Sequence, residues 1–280
     1  MKKIFIIPYR DREAHKAIFL NHMKHILKDE NDYMIIFCHQ QDKRKFNRGA
    51  MKNIGFLYAK KTYLNWENIT FIFHDIDYLP YKKMFDYETK VGVVTHFYGL
   101  KYAFGGIFAI KGKDFEKVDG FPNYWGWGFE DNKIRMKWIN MGGHIEYRNF
   151  KHITDKSVVK LDSSNIGHEK RIVGVYNLSY AENKNDNSGL KTIHNLQYGI
   201  EKIEDNVIII NVTNFKTERN IKNEKFKENI LSKDIVADNK KRLLRKMRNI
   251  HPFFPMNIKQ KPKKKRRNPK TYNFLKKYKN

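Results

Sequence analysis

Residues 69–80 read ITFIFHDIDYLP. The β-branched and aromatic run Ile69–His74 predicts a buried strand, and it ends directly in Asp75-Ile76-Asp77, with Leu79-Pro80 as punctuation. Residues i and i+2 at a strand end project to one side. Asp75 and Asp77 therefore face the same way while Ile76 turns back into the core. Hard divalent cations such as Mg²⁺ and Mn²⁺ favour oxygen ligands and often complete their shell with substrate phosphates. The same three residues also suit a plain solvated acidic turn, so the motif needs partners.

The neighbouring segments supply a context for it. Upstream, Lys3–Pro8 reads as a strand stopped by proline. Arg12–Lys28 reads as a helix with Ala14, Ile18, Met23, Ile26 and Leu27 inward. Tyr33–His39 is a second strand, and Arg48–Lys61 a second helix with Met51, Ile54, Gly55 and Tyr58 on one face. Strand, helix, strand, helix, strand predicts an α/β fold with a mainly parallel sheet and crossover helices. Ligands in such sheets sit beyond the carboxyl ends of the strands, where PYRDR (8–12), CHQQ (38–41) and the aspartates all fall. Downstream, Val91–Thr95, Gly106–Ile110 and Val207–Val212 read as strands and Asp131–Asn140 as a helix whose Ile134, Met136, Lys137 and Trp138 form an amphipathic turn. Residues 153–165 show little period. The catalytic domain is expected to span 1–215, with a basic extension over 216–280.

Composition limits the function classes. The chain has 280 residues, 40% of them hydrophobic, and a net charge of +26. Residues 240–280 carry 17 Lys or Arg and no Asp or Glu, so the other 239 residues carry only +9 (26 − 17). The basic character therefore belongs mainly to the extension. Cys38 is the single cysteine, which excludes an intrachain disulfide and a cysteine-clustered zinc site. No apolar run approaches the roughly 18 residues of a membrane span. MKKIFIIPYR has too short an apolar core for a signal peptide, so a soluble cytoplasmic location is expected. GxGxxG and GxxxxGK[ST] are both absent, which argues against hydride transfer and P-loop phosphoryl transfer.

A second stretch, NYWGWGFEDN (123–132), sets Trp127 between two glycines and ahead of Glu130-Asp131. Arg10 and Arg12 follow the first strand and Arg48 opens a helix, and guanidinium groups there suit phosphate oxygens. Taken in order, PYRDREAH (8–15), FNRGAMKNIGF (46–56), FHDIDYLP (73–80), FGGIFAI (104–110) and GFPNYWGWGFED (120–131) resemble the beta-1,4-galactosyltransferase family, glycosyltransferase family seven. The resemblance covers roughly residues 3–200.

That resemblance implies a GT-A fold and inverting transfer of a sugar from a UDP-sugar to a glycan hydroxyl, with manganese bound. It implies that Pro8, Tyr9, Arg10, Arg12, Phe46 and Arg48 line the nucleotide pocket, with Asp75 beside the ribose and Gly106 in the donor loop. It assigns Asp77 to the metal, Trp127 to a moving loop over the donor, Glu130 to the sugar, and Asp131 to the catalytic base. A single in-line displacement needs only one carboxylate to take the acceptor's proton, which agrees with this assignment.

The chain departs from the family pattern at three places. Asn165 stands where a metal-binding Met is expected, three residues before His168, which matches the metal histidine; His152 is a rival. An amide oxygen is harder than a thioether, which favours Mg²⁺ beside Mn²⁺. Asn132 replaces an acid. Ala103 replaces a tyrosine that crowds the donor's C2 substituent, so UDP-GalNAc joins UDP-galactose as an expected donor. The acceptor expected from the resemblance is a glycan ending in N-acetylglucosamine or a related sugar. KPKKKRRNPK (261–270) suits an anionic membrane, a nucleic acid or an acidic protein. A catalytically silent sugar-nucleotide fold docking through that tail is the competing reading.

Overall fold

The computed structural model describes residues 1–126, 128–161 and 188–218. Trp127, Asn165, His168 and the basic tail lie outside the described residues. The chain begins β1 (Lys3–Tyr9), α1 (Glu13–Ile26), β2 (Tyr33–Gln40), α2 (Arg48–Thr62), β3 (Thr70–His74). It continues through β4 (Tyr78–Pro80), β5 (Val93–Gly99), β6 (Ile107–Lys111), α3 (Gly112–Lys117) and α4 (Glu130–Asn140). Short strands β7 (His144–Glu146), β8 (Lys151–His152) and β9 (Val158–Lys160) precede a hairpin of β10 (His194–Glu204) and β11 (Val207–Lys216).

The main sheet runs β10-β11-β2-β1-β3-β6-β5-β7, with β8 also on β5. Strands β11, β2, β1 and β3 are parallel; β10 and β6 run against them, and β5, antiparallel to β6, runs with them again. The parallel core is the expected one, and the antiparallel strands make the whole sheet mixed. From β1 the chain steps outward through α1 to β2, then returns over β1 through α2 to β3. Reversing direction places the two helices on opposite faces.

Alternation along the strands divides the core accordingly. Phe5, Ile7, Ile35, Phe37 and Ile72 pack against Phe19, Met23 and Ile26 of α1. Ile4, Ile6, Ile36, Phe71 and Phe73 pack against Met51, Ile54 and Phe56 of α2, with Phe115 and Trp138 beside them. On α1 the buried residues are His15, Phe19, Met23 and Ile26, while Ile18 is 47% exposed. The inward stripe is thus one position out of phase with the expected Ala14 and Ile18. Buried His15 carries the stripe where apolarity points to its neighbour. Met136 is likewise exposed, and α4 faces inward through Ile134 and Trp138.

β10 escapes sequence reading because it is an edge strand with most side chains in solvent, so no apolar alternation marks it. Residues 153–165 contain β9, which pairs antiparallel with β4. That pairing brings Leu161 N–H onto the backbone carbonyl of Asp77 at 2.8 Å.

Gly55 is where α2 lies closest to the sheet. A Cβ there would sit 2.6 Å from Cys38 Sγ and 2.8 Å from Ile6 Cγ2. Both neighbours are fixed on strands. Gly55→Ala is therefore expected to lower stability by about 1–3 kcal/mol through overpacking, despite a helix-propensity gain of up to about 1 kcal/mol. Denaturant unfolding measures this, and an unchanged midpoint would show that α2 yields.

Candidate active site

The reversal of the chain at β1 opens a crevice at the carboxyl ends of β1, β2 and β3. Four carboxylates reach it from two directions. Asp75, Ile76 and Asp77 follow β3, with Ile76 buried and both aspartates partly open, as the alternation requires. Glu130 and Asp131 open α4, where the free N–H groups and helix dipole favour negative charge. Phe129 takes a left-handed turn (φ 66°) into that helix, and Gly128 N–H donates to Glu130 Oε2 at 3.1 Å.

Arg48 joins the two groups. It is the first residue of α2, whose cap is Asn47, with Asn47 Oδ1 accepting from Ala50 N–H at 2.9 Å. Its guanidinium donates to both oxygens of Asp75 at 2.7 and 2.6 Å, to Glu130 Oε1 at 2.5 Å and to Asp131 Oδ2 at 2.7 Å. One turn later, buried Lys52 donates to Asp131 Oδ1 at 3.2 Å and lies over the Phe121 ring. Two cations face three carboxylates, so the cluster keeps one uncompensated negative charge. Arg48 and Lys52 hold the Asp75 carboxyl far below the usual carboxylate range, against its burial.

Asp77 has a different environment. Burial and then the neighbouring Asp75 charge raise its pKa, and Arg12 at 3.7 Å opposes this only in part. A half-buried carboxylate beside a like charge gains most from a cation, and its oxygen chemistry fits Mg²⁺ or Mn²⁺. Among the described residues no group of three or more His, Cys, Asp or Glu side chains is arranged to hold a metal. Asp77 is the described member of the expected metal set, and its expected companions Asn165 and His168 fall outside the described residues. His152 is exposed on β8, its Nδ1 2.9 Å from Thr154 Oγ1.

The expected nucleotide residues cluster at the end of β1. Pro8 and Tyr9 are buried there. Tyr9 lies against His39 at 4.6 Å between ring centroids, and its hydroxyl donates to Glu13. A cavity of about 550 Å³ opens between Arg10, Asp11, His39 and the 40–43 turn. Arg10 donates to the carbonyl of Arg44, and Phe46 packs at the rim of the core. Gly106 takes φ 83°, and its N–H donates to Asp75 Oδ2 at 3.2 Å. A Cβ there would meet the Tyr98 carbonyl oxygen at 2.4 Å, so only glycine fits. Ala103 is buried just ahead of it. Asn132, where the sequence loses an acid, instead ties α4 to this loop through the Tyr102 carbonyl at 3.0 Å.

Three supporting residues escaped sequence reading. Lys52 stands four positions after Arg48, a spacing that puts both on one face of a helix. Asn123 donates to the Gly189 carbonyl and Thr192 Oγ1 and accepts from Asn53 and Asn47, which fastens the GFPN turn. Its partners lie far away in sequence and leave no local signal. His96 is fully buried and holds the carbonyls of Tyr98 and Gly105 at 3.0 and 3.1 Å.

A crevice at the switch point, with an aspartate pair on a strand end and an acid pair on a helix start, defines a GT-A fold. The family model for the N-terminal region of glycosyl transferase group 7 matches residues 1–90, and the model for the N-terminal domain of galactosyltransferase matches residues 82–159. The chain belongs to glycosyl transferase group 7. Human beta-1,4-galactosyltransferase 4 is 38% identical over 143 residues, 47% of this chain and 41% of that protein. The matched stretch thus spans about two-fifths of that relative's length. The catalytic domain of Drosophila beta1,4galactosyltransferase 7, in complex with xylobiose, superposes with a TM-score of 0.63 at 26% identity, covering 79% of this chain and 96% of that one. A mutant of the Drosophila protein in complex with manganese, UDP-Gal and xylobiose gives 0.63 at 24%, covering 80% and 97%.

Burial lowers the pKa of His96 to about 4, so the folded protein holds it neutral. The unfolded chain takes up that proton near pH 6.5. Stability therefore falls as the pH drops from about 6.5 towards 4. His96→Gln is expected to flatten this loss by on the order of 2–3 kcal/mol, read from denaturant midpoints at pH 7 and pH 4.5. Equal losses in both proteins would show that His96 is protonated in the fold.

Proposed function

We propose that this chain is an inverting, metal-dependent transferase that moves galactose or N-acetylgalactosamine from a UDP-sugar to a glycan hydroxyl. The observation that carries this reading is Arg48 joining Asp75, Glu130 and Asp131 in one crevice. The relatives are named galactosyltransferases, and a structural neighbour holds manganese, UDP-Gal and xylobiose.

The nucleotide enters at the end of β1, where Arg10 and Arg12 face its phosphates and Tyr9 and Phe46 frame the base. Asp77 would hold the divalent cation, with Asn165 and His168 of the segment after Leu161 as its companions; the Leu161 N–H meets the Asp77 carbonyl. When bound, that cation supplies Lewis-acid stabilisation of the departing diphosphate. Glu130 and Asp131 face the sugar. Asp131 takes the acceptor hydroxyl's proton as the acceptor oxygen bonds to C1 and the C1–O bond to UDP breaks from the other side. Trp127 closes over the donor and keeps water away. The acceptor is a glycan, and a β-1,4 bond to N-acetylglucosamine or a related sugar is the product.

Two expected outcomes check the assignment. Asp131→Asn should cut transfer by about 100-fold or more while UDP affinity stays within a few-fold, since the base is lost and the nucleotide pocket is not. Unchanged turnover would remove Asp131 from the role of base. Ala103 is smaller than the tyrosine of the family pattern, so the wild type should use UDP-GalNAc as well as UDP-galactose, and Ala103→Tyr should lose the GalNAc activity selectively. Mass analysis of products from both donors with Mn²⁺ decides this. A wild type confined to UDP-galactose would overturn the donor reading.

A further inference from the structure

Arg44 is absent from the residues assigned above, yet it contacts the turn after β2, the segment ahead of α4 and the end of β11. Its guanidinium lies over the ring of Trp125 at 4.6 Å and over that of Phe215 at 4.5 Å. The two rings stack on each other at 5.2 Å and 19°. Arg44 also donates to the Phe215 carbonyl at 2.7 Å and to Asp42 Oδ2 through Nε at 3.0 Å, so its plane is fixed. Its own carbonyl accepts from Arg10.

Each partner leads into the site. Arg10 faces the cavity at the end of β1. Trp125 is followed by Gly126, whose N–H donates to the Phe46 carbonyl at 3.0 Å, and four residues later the chain reaches Glu130 and Asp131. Phe215 closes β11, outside the stretch that the family models match. The flanking Gln40 is fully committed to bracing the same turn, donating to Asp42 and Lys45 and accepting from Asn47 N–H.

We propose that Arg44 is a positioning residue for sugar transfer. It holds the nucleotide-side turn (Arg10, Phe46) and the turn ahead of Glu130-Asp131 in one register, using Phe215 of the C-terminal hairpin as its base. The inference rests on the transferase reading. A flat guanidinium is required because it stacks on Trp125 and hydrogen-bonds Phe215 in the same pose, which an ammonium cannot do. Displacing the turn by a fraction of an ångström moves the acid pair relative to the donor.

The test uses the full chain with Arg44→Ala, Arg44→Lys and Phe215→Leu, the last keeping apolar volume without a flat ring. Kinetics with Mn²⁺ and the preferred donor are read beside UDP affinity, the ratio of donor hydrolysis to transfer, and Tm. Both Arg44 variants should lose about tenfold to a hundredfold in kcat. They should also weaken UDP several-fold and hydrolyse more donor per transfer, while remaining folded. Phe215→Leu should show a milder form of the same pattern. Wild-type kinetics in Arg44→Lys, or a fall in Tm with kcat and UDP affinity unchanged in Arg44→Ala, would overturn the proposal while leaving the transferase reading intact. Should the wild type bind UDP but transfer nothing, the transferase reading falls, and UDP affinity in Arg44→Ala then decides the role of Arg44: several-fold weaker binding supports it and equal binding overturns it. A wild type that does neither overturns both.

Discussion

The site depends on a single buried guanidinium. Arg48 satisfies three carboxylates that arrive from the end of β3 and the start of α4, and without it those charges would repel across the crevice. Removing one member of such a buried set commonly costs about 3–5 kcal/mol, because the groups left behind cannot recover their water. The arrangement also explains why α2 begins with an arginine, which its own dipole disfavours. The acids across the crevice more than offset that cost.

The backbone around this cluster is built to match. The sheet reverses direction at β1, so the ends of β1 and β3 are left open between helices on opposite faces. Stacked Phe73, Phe108 and Phe104 carry the core up to Gly105 and Gly106. A Cβ at Gly105 would come within 2.8 Å of Asp131 Oδ2, so the glycine loop ahead of β6 packs directly on Asp131. The carboxylates then differ in environment. Asp75 is saturated with donors, whereas Asp77 has the looser ion pair with Arg12 at 3.7 Å. Asp75 is thus a structural partner of Arg48 and of the Gly106 N–H, and Asp77 is the member whose environment would favour a cation.

The C-terminal hairpin has a part in the site that its sequence does not advertise. β11 adds to the parallel core beside β2 and carries Asn211, which meets His39 Nδ1 at 2.9 Å, and Phe215, which meets Arg44 and Trp125. Ser188 and the turn after it hold Asn123. Residues late in the chain therefore brace the turn after β2 and the turn before the acid pair.

The parallel core, the strand ends that carry the paired acids, and the family were all legible along the chain. Strand periods, proline stops and five ordered motifs are local signals. The sequence also placed Asp75 and Asp77 on one side of a strand end, because alternation needs no tertiary information. On α1 the expected Met23, Ile26 and Leu27 are buried, but His15 and Phe19 are buried in place of Ala14 and Ile18, since a buried histidine is indistinguishable from an exposed one in composition alone. Only the tertiary structure decided that Arg48 and Lys52 hold Asp131, that Asn123 fastens the GFPN turn, and that Arg44 is caught between Trp125 and Phe215. The physical reason is separation along the chain: Arg44 and Phe215 are 171 residues apart. Such partners meet only when the sheet brings β2 and β11 side by side, and no pattern within either segment records the meeting.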